Sequence, residues 1–107
     1  MSENLPLSGL AVALSALRLL TADFGHLPAP TLDVSTVFPN RLRLAFHDGL
    51  SGFEAWREAL EVPGDDVLYS EQEDGRTRVL KARVAFAGAD LELIGYADVY
   101  QVDGGAA

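Results

Sequence analysis

The sequence predicts an α+β domain: an antiparallel-dominated five-stranded sheet, order α-β-β-α-β-β-β, with two helices on one face. Three observations carry this. Residues 7–24 form a long apolar run, and Phe53, Trp56 and Leu60 recur at helical spacing. Between and after them, five stretches alternate apolar and polar residues and are separated by Gly, Pro, Asn and Asp. No repeat or long linker divides the chain, so the order reads as one two-layer unit.

The first helix is expected to be the buried spine. Leu7, Leu10, Val12, Leu14, Leu17, Leu19 and Leu20 make it apolar on nearly every side, leaving a stripe of Ser8, Ala11, Ser15, Arg18 and Ala22 for water. Ser8 reads as its N-cap and Gly25 as its left-handed terminus. Pro28 and Pro30 then forbid continuation and make an extended connection.

The strands follow in order. Residues 31–38 and 41–47 alternate, with Leu32, Val34 and Phe38 on one face and Leu42, Leu44 and Phe46 inside. A three-residue loop, residues 39–41, pairs Phe38 with Leu42, Thr36 with Leu44 and Val34 with Phe46, keeping one face apolar. Asp48-Gly49 ends the hairpin, and Ser51-Gly52-Phe53-Glu54 reads as a capping box for the second helix. Trp56 faces the core there, Arg57 and Glu61 sit at a helpful spacing on the wet side, and Pro63-Gly64 stops the helix. Asp74-Gly75 is the strongest hairpin signal and pairs Tyr69 with Leu80, Val67 with Ala82 and Glu71 with Arg78. Gly88-Ala89 is a second tight turn, pairing Phe86 with Leu91, Val84 with Leu93, Ala82 with Gly95 and Leu80 with Ala97. The small pair Ala82 and Gly95 leaves a trough that a helix backbone can approach. Where the first hairpin joins this meander stays open.

The 107 residues suit one domain, with its core at about residues 7–102 and a flexible tail at 103–107. Sixteen acidic against eight basic residues give a net charge of −8, which opposes direct binding to nucleic acid or an anionic membrane. There is no cysteine, so thiolate metal sites and disulfides are excluded, as suits a cytoplasmic protein. Met1-Ser2-Glu3-Asn4 lacks the positive start of a signal peptide, Arg18 interrupts the apolar run, and the run is too short to span a bilayer.

Chemistry-bearing residues are sparse. No phosphate-binding glycine loop, G-x-S-x-G or H-E-x-x-H motif occurs. Asp33 faces His47 across the first hairpin in the chosen register, either an exposed cross-strand pair or a carboxylate holding a general base. Asp65, Asp66, Glu71, Glu73 and Asp74 gather around one hairpin, but without the alternating oxygen ligands of a calcium loop. They read as an acidic edge for a basic partner. On the outer sheet face Val37, Val79, Ile94 and Tyr96 lie among Arg43, Lys81, Arg83 and Tyr100 and suggest a weak homodimer interface.

The segment Phe53-Glu54-Ala55-Trp56-Arg57-Glu58-Ala59-Leu60-Glu61-Val62 follows a leucine-rich first helix and a Leu27-Pro28-Ala29-Pro30 lead into a strand. Over residues 10–97 this resembles small uncharacterised proteins of actinobacterial genomes, prophages and integrated plasmids. The resemblance implies a shared fold and a mobile-element setting, and transfers no catalytic residue. The expected function is a small acidic non-catalytic protein-binding domain, an inhibitor of a host or defence complex, CRISPR-type systems included. It needs no cofactor or metal, and its expected partner is a basic nucleic-acid-binding protein. An immunity or antitoxin-like partner protein and a small enzyme using His47 are the alternatives.

Overall fold

The computed structural model describes residues 5–47, 49–72 and 75–98. The expectations for residues 1–4, Asp48, Glu73, Asp74, Tyr100 and the tail at 103–107 lie outside these. Among the described residues the chain forms α1 (Ala11–Asp23), β1 (Thr31–Val34), β2 (Arg41–Phe46), α2 (Ser51–Ala59), β3 (Leu68–Glu71), β4 (Thr77–Phe86) and β5 (Ala89–Asp98). Short 3-10 turns at Leu7–Leu10 and Gly64–Asp66 precede α1 and β3. The five strands make one mixed sheet in the order β1-β2-β5-β4-β3, with every neighbouring pair antiparallel except β2 and β5. The chain has the expected α+β class. Neither helix among the described residues is long and apolar enough to cross a membrane.

The parallel pair explains how the two halves of the sheet meet. The β3-β4-β5 meander leaves one edge of β5 free, and β2 docks on it after the chain has crossed over through α2. Its register places Leu42 beside Leu91 and Leu44 beside Leu93, so both strands turn their leucines to the same side. Ala13 and Leu20 of α1 and Phe53 and Trp56 of α2 pack on that side with Leu42, Leu44, Phe46, Ala82, Leu91 and Leu93. Both helices therefore cover one face.

The first helix is less buried than its composition suggests. Only Ala13, Ala16 and Leu20 of α1 are buried, while Val12 and Leu19 (45 % exposed) widen the wet stripe beyond Ser8, Ala11, Ser15, Arg18 and Ala22. A two-layer domain offers a helix one surface to bury against, so Leu19 stays outside while Leu14 and Leu17 are only partly buried. Ser8 is not the N-cap. It lies in the 3-10 turn, and its carbonyl accepts the Ala11 N–H. Gly25 does not take a left-handed φ; α1 closes when Phe24 N–H donates to the Leu20 carbonyl at 2.8 Å.

The second helix also ends by its own geometry. Ser51 is its first residue rather than a capping residue, and Glu54 accepts from Arg57 instead of closing a capping box. Arg57 therefore pairs with Glu54 at 2.7 Å, not with Glu61, and also donates to the Val62 carbonyl at 2.7 Å. Before Pro63 is reached, Glu61 takes φ of 61°, Glu61 N–H donates to Glu58 and Val62 N–H to Arg57. This pair of bonds is a Schellman termination, here with glutamate where glycine is usual.

Register separates the three hairpins. β3 and β4 pair as expected, Tyr69 with Leu80 and Glu71 with Arg78, and Gly75 has a φ of 70°. Val67 precedes β3 and is not in the ladder. In the first hairpin Val34 pairs with Leu42, not Phe46, and Leu32 with Leu44, which correct the expected register by four residues. Residues 35–40 make the longer loop: Val37 N–H donates to Ser35 Oγ, Arg41 N–H to the Phe38 carbonyl, and the Arg41 guanidinium lies 4.4 Å above the Phe38 ring. Between β4 and β5 the turn is Ala87-Gly88, with φ of 53° and 82°, so Phe86 pairs with Ala89, Val84 with Leu91 and Leu80 with Gly95. Positive φ at both central positions marks a type I′ turn. A shift of two or four residues keeps every side chain on its face, so alternation alone does not choose among such registers.

Candidate functional site

An apolar groove lies where α1, the connection after it and β1 meet. The helices sit over β2 and β5, so the inner face of the edge strand β1 is left partly uncovered. Leu17 and Leu20 of α1, Phe24 just after it, Leu27 and Pro28 of the connection and Leu32 of β1 line the groove. Leu44 and Trp56 also line the groove, whose volume is about 170 Å³. Trp56 is held there by its indole N–H, which donates to the Pro28 carbonyl at 2.7 Å. Phe24 meets the Trp56 ring at 6.1 Å, tilted, and the Phe86 ring at 6.2 Å, edge to face, so the end of α1 is anchored by aromatic contacts. Leu32 remains 45 % exposed at the mouth.

No lysine or arginine lines this groove. Asp23, next to Phe24, and Asp33, next to Leu32, are both exposed and take part in none of the ion pairs among the described residues.

The outer sheet face has a different construction. Glu92, 4 % exposed, projects from the central strand between Arg43 of β2 and Arg83 of β4. Arg43 Nε donates to Glu92 Oε1 at 3.0 Å, and the Arg83 guanidinium is 3.9 Å from Oε2. Ile94 is 2 % exposed and Val79 is buried, which corrects their expected place in an open apolar patch. Val37 is exposed at 67 %, but in the loop after β1. Tyr96 is half-buried and stacks on the exposed His47 ring at 4.8 Å, with 5° between the planes. The four residues expected to make a homodimer face therefore do not form one exposed surface.

His47 likewise lacks its expected carboxylate. Asp33 lies opposite Arg43, four residues from the position a His47 pair requires. Among the described residues, no group of three or more His, Asp or Glu side chains is gathered for a metal ion. Of the acidic edge, Asp65 and Asp66 are exposed on the turn before β3. Glu71 is exposed on β3 and accepts the Tyr69 hydroxyl at 2.6 Å, which raises the Tyr69 pKa above its ordinary value. The remaining two, Glu73 and Asp74, lie outside the described residues.

Residue pattern alone assigned the groove residues to the core or to a connection. No protein-family model, curated protein or solved structure matches this chain.

Proposed function

We propose that this chain is a small acidic, non-catalytic protein-binding domain that takes its partner at the groove beside β1. The supporting observation is the groove itself: an apolar depression with Trp56 among its lining residues, with half-exposed Leu32 at its edge and, next to its lining residues in the chain, the exposed carboxylates Asp23 and Asp33, which join no ion pair among the described residues. Buried aromatic anchors with a polar rim are how interfaces concentrate their binding energy. The net charge of −8 favours a basic partner, in this reading a nucleic-acid-binding protein. Asp65 and Asp66 then add long-range attraction. In a mobile-element setting, and in the cytoplasm, such a domain acts as an inhibitor of a host or defence complex.

The test starts with affinity capture from actinobacterial cells and identification of the bound protein by mass spectrometry. Titration calorimetry with that purified partner then compares wild type with Leu32→Gln. The variant should bind at least about tenfold more weakly, with melting unchanged. Equal affinity would remove the groove from the interface.

A further inference from the structure

We propose that β1 is a docking edge, on which an extended segment of a basic partner protein adds as a sixth strand. This deepens the groove reading and rests on it. β1 ends the sheet, and no strand covers its far side among the described residues. In an antiparallel pair alternate residues direct their N–H and C=O groups to the neighbour, so half of β1 presents these groups outward. A segment that pairs with them becomes a strand whose alternate side chains fall on the inner and outer faces.

The two faces ask for different side chains. On the inner face the added strand lies beside Leu32 and over the groove, whose volume of about 170 Å³ resembles the roughly 150 Å³ cavity that holds one benzene ring. One large apolar side chain fills it. On the outer face the added strand lies beside Asp33, which joins no ion pair among the described residues although Arg41 and Arg43 border it, Arg43 being bonded to Glu92 and Arg41 paired with Asp90. Lysine or arginine on either side of the apolar residue meets Asp33. Asp23 at the end of α1 attracts further positive charge.

The opposite edge of the sheet lacks this combination. β3 is equally short and exposed, but its inner-face Tyr69 is bonded to Glu71, and the depression beside it is lined mainly by the charged residues Asp65, Asp66, Lys81, Arg83 and Glu92. A second copy of this chain is the other conceivable occupant of β1. Its net charge of −8 opposes that pairing, and it would bring Asp33 towards Asp33.

The test uses capped heptapeptides of the pattern Lys-Thr-Lys-Φ-Lys-Thr-Lys, with Φ leucine, isoleucine or phenylalanine. Trp56 is the only tryptophan, so its emission reports the groove directly. Two N-methylated forms of the best peptide block either the odd or the even backbone amides. Strand addition predicts saturable binding, retained by one methylated form and weakened at least about tenfold in the other. Leu32→Gln and the surface change Asp33→Lys should each weaken it as well, and hydrogen exchange should slow in Thr31–Val34.

Equal binding by both methylated forms, with loss in Leu32→Gln, overturns strand pairing but leaves the groove as a binding site. Failure of all three peptides to bind overturns the docking edge, while the natural partner's response to Leu32→Gln still decides the broader reading. Sedimentation of wild type alone as a dimer, with β1 amides already protected, overturns it in favour of a second copy.

Discussion

The indole N–H of Trp56 donates to the carbonyl of Pro28 at 2.7 Å, across 28 residues of chain. This bond ties α2 to the segment that leads into β1, so the core and the groove share one side chain. Trp56→Phe keeps most of the ring volume but leaves the carbonyl without its donor, and should cost about 1 to 2 kcal/mol. Trp56→Ala also opens a cavity and should cost about 3 to 5 kcal/mol. Urea unfolding followed by circular dichroism measures both. Equal losses for the two variants would mean that the bond, not the packing, sets the contribution of this residue.

Glu61 ends α2 with a φ of 61°. A left-handed conformation costs a residue with a Cβ about 1 to 2 kcal/mol. Glycine removes that strain and returns part of it through its greater freedom in the unfolded chain. Glu61→Gly should therefore stabilise the fold by about 0.5 to 1 kcal/mol, seen as a higher urea midpoint at unchanged slope. Glu61→Ala is the control: it removes the charge but keeps the Cβ, and should bring no comparable gain.

Gly95 lies on β5 under α2. A Cβ built there would stand 2.9 Å from Leu50 Cδ2 and 3.1 Å from Phe53 Cβ. Gly95→Ala should thus force the start of α2 away from the sheet and cost about 1 to 3 kcal/mol. A thermal melt of the variant checks this, and an unchanged midpoint would show that α2 moves freely over the strand.

Arg43 and Glu92 form an asymmetric pair, because the carboxylate is buried and the guanidinium is half-exposed. Removing the arginine leaves a buried charge with only Arg83, at 3.9 Å. Arg43→Ala should cost about 2 to 3 kcal/mol, below the largest values for buried pairs because water reaches this site from one side. Glu92→Gln keeps an acceptor for Arg43, frees a cation that can hydrate, and should cost about 1 kcal/mol or less. Chemical denaturation of both variants gives the comparison, and a reversed order would mean that Glu92 draws little from Arg43.

Local periodicity in the sequence determined both helices, most of each strand and which side chains share a face, although residues 35–38, which alternate like a strand, form a loop with Phe38 exposed. Phe53 and Trp56 point inward because they are three residues apart on a helix, and Leu42, Leu44 and Phe46 because they are two apart on a strand. The β3-β4 register was legible too, since Asp74-Gly75 between alternating strands leaves few alternatives. The candidate site was much less so. Leu17, Leu20, Phe24 and Trp56 read as core, and they are core on one side and groove wall on the other.

Tertiary structure decided the rest. Shifting a strand by an even number of residues leaves its faces unchanged, so packing chose Val34 with Leu42 and Leu80 with Gly95. The Arg41–Phe38 contact helps to hold the loop that the first of these requires, and Gly95 admits α2 in the second. The parallel pairing of β2 with β5 joins segments far apart in the chain, and no local pattern encodes it. It follows from a free edge on β5 and two rows of leucines turned to the same side. That pairing leaves β1 at the rim of the sheet, where the two helices, already occupied by β2 and β5, do not reach across to cover Leu32.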